Sequence, residues 1–286
     1  MSKSRDLAII TGADGGMGQI HTRALAEAGY EIVMACYDLE LAKPIRDKIQ
    51  EETGAPLHLR QIDLSNLNSV VEFCTKIKNE FSSLKILLNN AGVLSSKCKT
   101  SVNNVEYTVA VNYLGHFTLT NLLLPIMNKG TRVVSMISIA YVLGRITPNF
   151  FTPKTKWNYN RFTAYGKSKL ALYYFMLDAA EEWQSKGICF NVADPDIVST
   201  NIIKLDNIVA DKLCDCFFRP FINTPEQGAA AMIAAAINPE FEGVSGKIIK
   251  KGKIAPHKSR FFNDFETRKL LKEITLNFLS KNNIQL

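Results

Sequence analysis

The stretch Leu7-Ala-Ile-Ile-Thr-Gly-Ala-Asp-Gly-Gly-Met-Gly18 decides the fold. Its first four residues are apolar without alternation, which reads as a strand buried on both faces. Glycines follow at 12, 16 and 18. Met17, Ile20, Ala24 and Ala28 then recur at helical spacing, and Gly29 supplies a stop. A strand turning through a glycine loop into a helix offers free N–H groups, and the positive end of the helix dipole, to a pyrophosphate. The spacing is G-x-x-x-G-x-G, not the commoner G-x-G-x-x-G dinucleotide fingerprint.

The same rhythm continues outward. Apolar runs at Ile32–Cys36, Leu57–Ile62, Ile86–Leu88, Val133–Ile137, Ile188–Ala193 and Lys247–Ile249 read as further strands. Helical spacing recurs over Leu41–Thr53, Val70–Phe81, 104–127, Ala164–Gln184, Pro225–Ala236 and Asp264–Leu279. Alternation of this kind predicts an α/β fold: a doubly wound, mainly parallel seven-stranded sheet with helices on both faces. Neither an internal repeat nor a compositional break divides the chain, so residues 1–286 are expected to form one domain. Segments 144–162 and 200–223 read as excursions over a substrate site, and aromatics in both suggest an apolar substrate.

Hydrophobic residues make up 47% and charged residues 21%, an ordinary globular balance. No uninterrupted run of about 18 apolar residues occurs, so no membrane span is expected. The start, Met1-Ser-Lys-Ser-Arg-Asp6, runs at once into Leu7, too short an apolar core for a signal peptide. A cytoplasmic protein is the expectation. Six scattered cysteines fit buried free thiols in a reducing compartment. Cys214-Asp-Cys216 has no second Cys or His pair at zinc spacing, so no metal is expected. The net charge is +7, and six Lys/Arg without an acid fall between Lys247 and Arg260. That stretch lacks interleaved aromatics and reads as a solvated basic loop, with no nucleic-acid partner.

Ligands of open α/β sheets bind at the carboxyl ends of the strands. Asp63 ends the third strand, where a carboxylate can accept from an adenine amino group. Asn89-Asn-Ala-Gly92 ends the fourth and suits close approach to a ribose. Ser138 ends the fifth strand; Pro195, followed by Val198 and Thr200, ends the sixth. Tyr165 and Lys169 stand four apart, on one face of a helix that starts from the same edge. A phenol normally titrates near pH ~10. A neighbouring ammonium is expected to lower that value toward the range where general acid–base catalysis works.

The ordered set Thr11-Gly12…Gly16…Gly18, Asp63, Asn90-Ala91-Gly92, Asn112, Ser138 and Tyr165…Lys169 resembles the short-chain dehydrogenase/reductase family. The likeness runs from residue 7 to about 250 and implies its single-domain Rossmann-type fold. Val111-Asn-Tyr-Leu-Gly-His-Phe117 and Pro239-Glu-Phe-Glu-Gly-Val-Ser-Gly246 further resemble its retinol-dehydrogenase-like branch. The resemblance implies hydride transfer between nicotinamide and an alcohol or carbonyl carbon. Tyr165 would be the acid/base. Lys169 would bind the nicotinamide ribose and hold the phenol's pKa down. Ser138 would orient the substrate oxygen, and Asn112 would hold a water linking Lys169 to solvent. The coenzyme would lie along Thr11, Gly12, Asp14, Gly16, Met17, Gly18, Tyr37, Asp63, Leu64, Asn90, Ala91, Gly92, Pro195, Val198 and Thr200, besides Tyr165 and Lys169. By the same analogy the protein would form dimers or tetramers.

Two departures stand out. Pro195 is followed by Asp196 where the family usually has glycine. The related branch carries Arg at Tyr37 to meet a 2′-phosphate, and an NAD-selecting acid would fall at Cys36; neither is present. Asp38 and Asp14 would repel a 2′-phosphate, so between NAD and NADP the residues favour NAD. The alternative to an enzyme is a nucleotide-sensing protein of the same fold without turnover.

Overall fold

A computed structural model describes residues 5–153, 157, 159–196 and 224–286. The first half of the chain runs β1 (Leu7–Thr11), α1 (Gly16–Glu27), β2 (Glu31–Cys36), α2 (Leu39–Thr53), β3 (Leu57–Gln61), α3 (Leu67–Glu80), β4 (Leu84–Asn89), α4 (Tyr107–Val109), α5 (His116–Leu123) and β5 (Met127–Met136). The second half adds α6 (Arg161–Glu182), β6 (Cys189–Asp194), α7 (Pro225–Ile237), β7 (Ile248–Lys250), β8 (Lys253–Ala255), α8 (Ser259–Phe262) and α9 (Phe265–Lys281).

The sheet has the order β3-β2-β1-β4-β5-β6-β7-β8. All pairings are parallel except β7–β8. Strand order reverses between β1 and β4, which opens a crevice at their carboxyl ends. Helices α1, α2 and α7 bury one face of the sheet, while α3, α5, α6 and α9 bury the other. The central strands are buried along their length, as continuous apolar runs require.

Among the described residues the sheet has eight strands, not the expected seven. The addition is β8, which turns back from β7 through Lys251 and Gly252 at φ 50° and 70°. Lys253-Ile-Ala255 has one large apolar side chain and is exposed, so periodicity left no trace of it. The helix expected over 104–127 is broken into α4, a π-helical turn over Ala110–Gly115, and α5. Tyr107–Ile126 is long and apolar enough to cross a membrane, at a mean hydropathy of 1.2, but 78% of that window is buried inside the fold. Its close packing shows at Gly115, where an added Cβ would lie 2.3 Å from the Leu64 carbonyl oxygen.

The aromatics expected over a substrate site partly serve the core instead. Phe150 and Phe151 are buried. Phe151 lies 4.6 Å, centroid to centroid, from Phe278 of α9, and Phe150 and Phe151 both pack on Tyr113. Phe217, Phe218 and Phe221 lie outside the described residues, as do Cys214 and Cys216.

Helix α9 is tied to α6 by Arg268, which is 3% exposed. Its guanidinium meets Asp178 at 2.5 Å and Glu181 at 2.9 Å. Removing one partner of a buried pair leaves the other charge uncompensated. Arg268→Met is therefore expected to destabilise the fold by about 3 kcal/mol, lowering the melting temperature by roughly 5 °C or more. Calorimetry reads this directly; an unchanged midpoint would mean that the ion pair does not hold α9 in place.

Candidate active site

The glycine loop follows β1 as expected. Gly12 takes φ 60°, a left-handed conformation that favours glycine. A Cβ on Gly18 would lie 2.0 Å from the Gly12 carbonyl oxygen, whereas one on Gly16 would meet nothing within 4 Å. Helix α1 starts at Gly16 with Gly15 as N-cap, no side-chain cap and no acid in its first turn. Its leading N–H groups therefore face open space. A crevice of about 620 Å³ lies above them, bounded by Gly12–Gly18, Tyr37, Asp63, Leu64 and Asn90–Gly92. A donor-rich helix end, a loop without side chains and a carboxylate at the far strand fit the pyrophosphate and adenosine of a nicotinamide dinucleotide.

Most of the expected coenzyme residues share this crevice. Gly12, Asp14, Gly16, Met17, Gly18, Tyr37, Asp63, Leu64, Asn90, Ala91 and Gly92 all line it. Thr11 does not line it. It is fully buried beneath the floor, where its hydroxyl accepts the N–H groups of Asn90 and Ala91, both at 3.0 Å. The Asn90 amide donates to the carbonyls of Thr11 and Gly12 at 2.9 and 3.2 Å. The ends of β1 and β4 are thus stitched together under the ligand space. Pro195 closes β6, beyond the crevice lining. Val198 and Thr200 lie outside the described residues. Asp63 keeps Oδ1 on Ser65, accepting from its N–H at 2.8 Å and its hydroxyl at 2.7 Å.

Sequence reasoning missed Gly15, Ala35, Ile62, Val93, Tyr107, Val111 and Pro225, which complete the lining. Ile62 adjoins Asp63 and could have been taken with it. Pro225 opens α7, far along the chain, and no local signal places it here. His116 was missed as well. Its Nδ1 lies 3.2 Å from the Asn112 carbonyl, and its Nε2 lies 3.0 Å from the Thr11 hydroxyl. A carbonyl only accepts, so Nδ1 carries the proton and Nε2 accepts from Thr11. Burial drives the His116 pKa down to about 3, so the ring stays neutral.

Ser138, Tyr165 and Lys169 meet at the same sheet edge. Ser138 caps the turn over Ile139–Leu143, its hydroxyl accepting from the Ala140 N–H at 3.3 Å, and it stands close enough to the Tyr165 phenol to favour the phenolate. Lys169 is buried, and its Nζ donates to the Met136 carbonyl at 2.7 Å. The same Nζ lies 5.6 Å from the centroid of the Tyr165 ring. A Cβ on Gly92 would come within 3.5 Å of it, so the ammonium borders the crevice. Asn112 sits in the π-helical turn. Its Oδ1 accepts from the Val93 N–H at 2.8 Å, and its Nδ2 donates to the Val93 carbonyl at 2.9 Å and to Ser168 at 3.1 Å. Both amide donors are therefore engaged within the chain.

One expectation is overturned. The phenol of Tyr165 is pushed up to about 12, not down. Burial is the main cause; the Ser138 hydrogen bond opposes it, and Asp194 adds to it. Lys169 stands over the ring face and bonds a backbone carbonyl, and its own pKa is lowered by burial to about 8. Four-residue spacing brought the two groups together, but desolvation outweighs their attraction.

The sequence profile of the short chain dehydrogenase family matches residues 6–208. The chain therefore belongs to that family and is an NAD(P)-dependent oxidoreductase acting on CH–OH groups. Within it, the chain falls in the retinol-dehydrogenase-like branch. It is 33% identical to retinol dehydrogenase 14 of Mus musculus over 254 residues, covering 84% of this chain and 75% of that protein. Retinol dehydrogenase 13 of Homo sapiens is 32% identical over 246 residues, with 84% and 74% covered. Among solved structures, an uncharacterised protein of Mycobacterium paratuberculosis superposes with a TM-score of 0.74 at 25% identity, covering 97% of this chain and 94% of that one. A short-chain dehydrogenase of Burkholderia cenocepacia, solved with NADP, shares the fold at a TM-score of 0.67 and 21% identity, with 86% and 95% covered.

Proposed function

We propose that the protein interconverts an apolar alcohol and its carbonyl compound, with Tyr165 as acid/base. The observation that carries this reading is the Lys169 ammonium over the Tyr165 ring, 5.6 Å from its centroid, with the Ser138 hydroxyl beside the phenol. Two hydroxyls at one point can hold a single substrate oxygen. Bound coenzyme supplies or accepts the hydride. In reduction the phenol gives its proton to the carbonyl oxygen; in oxidation the phenolate takes the proton of the alcohol. Ser138 orients that oxygen, and Lys169 holds the ribose hydroxyls. Asn112 braces the Val93 strand end against α6.

Apolar substrate chemistry is supported by the rim of this site. Ile139, Leu143 and Phe162 are 40%, 59% and 49% exposed. Ile139 adjoins Ser138, and Phe162 stands one helical turn before Tyr165. Large apolar side chains left open around a polar centre suit an apolar ligand with one polar end. The names of the curated relatives make retinol a natural member of the panel to test.

For the coenzyme we infer a preference for NAD. Asp14 and Tyr37 line the crevice, and among the described residues no arginine lines it. Asp38 caps α2, its Oδ1 accepting from Glu40 and Leu41 at 3.0 and 3.2 Å, so its charge is held at that end. Two carboxylates, with no Lys or Arg among the described residues lining that end of the crevice, oppose a 2′-phosphate. The test is coenzyme absorbance at 340 nm across retinol, steroids, aliphatic aldehydes, sugars and ketones, with each coenzyme titrated. Turnover of apolar alcohols or aldehydes with NAD is expected. Binding NADPH tenfold more tightly than NADH would reverse the coenzyme preference, and exclusive turnover of sugars would reverse the substrate class.

A further inference from the structure

Asp196 stands where the family usually carries glycine, and the structure shows what that substitution requires. Its φ is 60°, a conformation glycine adopts freely and a side chain does not. The turn is braced by charge. The Asp196 N–H donates to Asp194 Oδ1 at 3.0 Å. The Asp196 carboxylate is ion-paired with Lys250 through one oxygen and lies 3.5 Å from Lys251 Nζ through the other. Lys250 also reaches Asp194 at 3.7 Å. Asp194 and Lys250 are register partners across β6 and β7, and Lys251 opens the hairpin into β8.

This cluster adjoins the reacting groups. The Ile137 N–H bonds the Ala193 carbonyl at 2.9 Å, which sets Ser138 and Asp194 side by side at neighbouring strand ends. Asp194 is 5% exposed, and its charge is felt by Tyr165 and by Tyr141. Among the described residues, the charged groups around it are Asp196, Lys250 and Lys251, with Lys169 of α6 beyond Tyr165. Two carboxylates and two ammonium groups sum to zero.

We propose that Lys250 and Lys251 neutralise the Asp194–Asp196 carboxylate pair, leaving the Tyr165 end of the crevice without net negative charge, and so set the balance between oxidised and reduced coenzyme. Oxidised nicotinamide carries a positive ring charge that the reduced ring lacks. An unneutralised carboxylate pair would hold the oxidised form selectively. The inference rests on the coenzyme placement given under Proposed function. It needs no catalytic role for Tyr165, so binding tests it independently of turnover.

Dissociation constants for the oxidised and reduced coenzymes are measured by calorimetry in the parent, Lys250→Met, Lys250→Arg, Asp196→Gly and Asp194→Asn/Lys250→Met proteins. Lys250→Met is expected to favour the oxidised form about threefold or more, as one unit charge at this range allows. Lys250→Arg keeps the parent ratio, and the double variant returns to it. Asp196→Gly removes one carboxylate and suits the positive φ, so it folds and moves the ratio toward the reduced form. An unchanged ratio in Lys250→Met and Asp196→Gly, or equal weakening of both coenzymes, would reduce the cluster to a structural brace and overturn the proposal. Failure of the parent to bind either coenzyme would strike the coenzyme placement instead.

Discussion

Replacing Tyr165 with Phe is expected to lower turnover roughly a thousandfold, in the range removed with a general acid–base group, while coenzyme affinity stays within about twofold. The ring and its packing remain; only the hydroxyl beside Ser138 is lost. Direction matters as well. With its pKa near 12, the phenol is protonated throughout the neutral range. It is therefore ready to donate to a carbonyl, and reduction should vary little with pH between about 6 and 7, falling only as Lys169 loses its proton around pH 8. Oxidation needs the phenolate, whose population below the pKa rises about tenfold per pH unit. Alcohol oxidation should therefore climb steeply as pH rises through the same interval. Any coenzyme charge that lowers the phenol's pKa shifts the whole rise to lower pH without changing its sign. Steady-state rates in both directions, for parent and Tyr165→Phe, decide the matter. If Tyr165→Phe oxidises alcohols with the parent's pH profile, the proton passes through another group.

The reading of the sequence succeeded wherever local pattern and topology agree. Leu7–Gly18 announces strand, loop and helix within a dozen residues, and the alternation after it admits few other arrangements. Residues at strand ends must converge in a doubly wound sheet, so Asp63, Asn90 and Ser138 could be gathered without coordinates. What stayed hidden depends on three-dimensional burial. Four-residue spacing pairs Lys169 with Tyr165, yet spacing says nothing of desolvation, which reverses the expected direction of the phenol's pKa. The π-helical turn at Ala110–Gly115 keeps an apolar helical pattern on either side, so periodicity runs through it. Thr11 looked like a ligand because it adjoins the glycines, but strand alternation turns its hydroxyl under the floor toward β4. Phe150 and Phe151 sit in a polar, proline-containing stretch that resembles a lid, while their partner Phe278 lies far along the chain. Asp196 drew notice as a departure from a family pattern; its φ of 60° and its lysine partners gave that departure a physical meaning.

Gly18→Ala should abolish coenzyme binding at accessible concentrations, a loss of about a hundredfold or more, and should also destabilise the chain by about 2 kcal/mol as an overpacked site. The new Cβ would lie 2.0 Å from the Gly12 oxygen, 2.9 Å from the Ala13 Cα and 3.0 Å from the Ala13 carbonyl carbon. All three are backbone atoms, so no side chain can swing aside. The Gly12 carbonyl is already held by the Gly15 N–H at 3.1 Å and the Asn90 amide at 3.2 Å. Displacing it disturbs the stitch between β1 and β4 as well as the loop. Gly16→Ala is the informative contrast. Its Cβ would meet no atom of the chain within 4 Å, and it would stand at the first position of α1, pointing at crevice space. The melting temperature should therefore hold while coenzyme affinity falls about tenfold, because the methyl group would occupy ground reserved for the ligand rather than for the protein. Calorimetric dissociation constants and melting curves for the two variants separate these effects. Undiminished coenzyme affinity in Gly16→Ala would place the pyrophosphate somewhere other than the start of α1, and the crevice would then lose its claim to the dinucleotide.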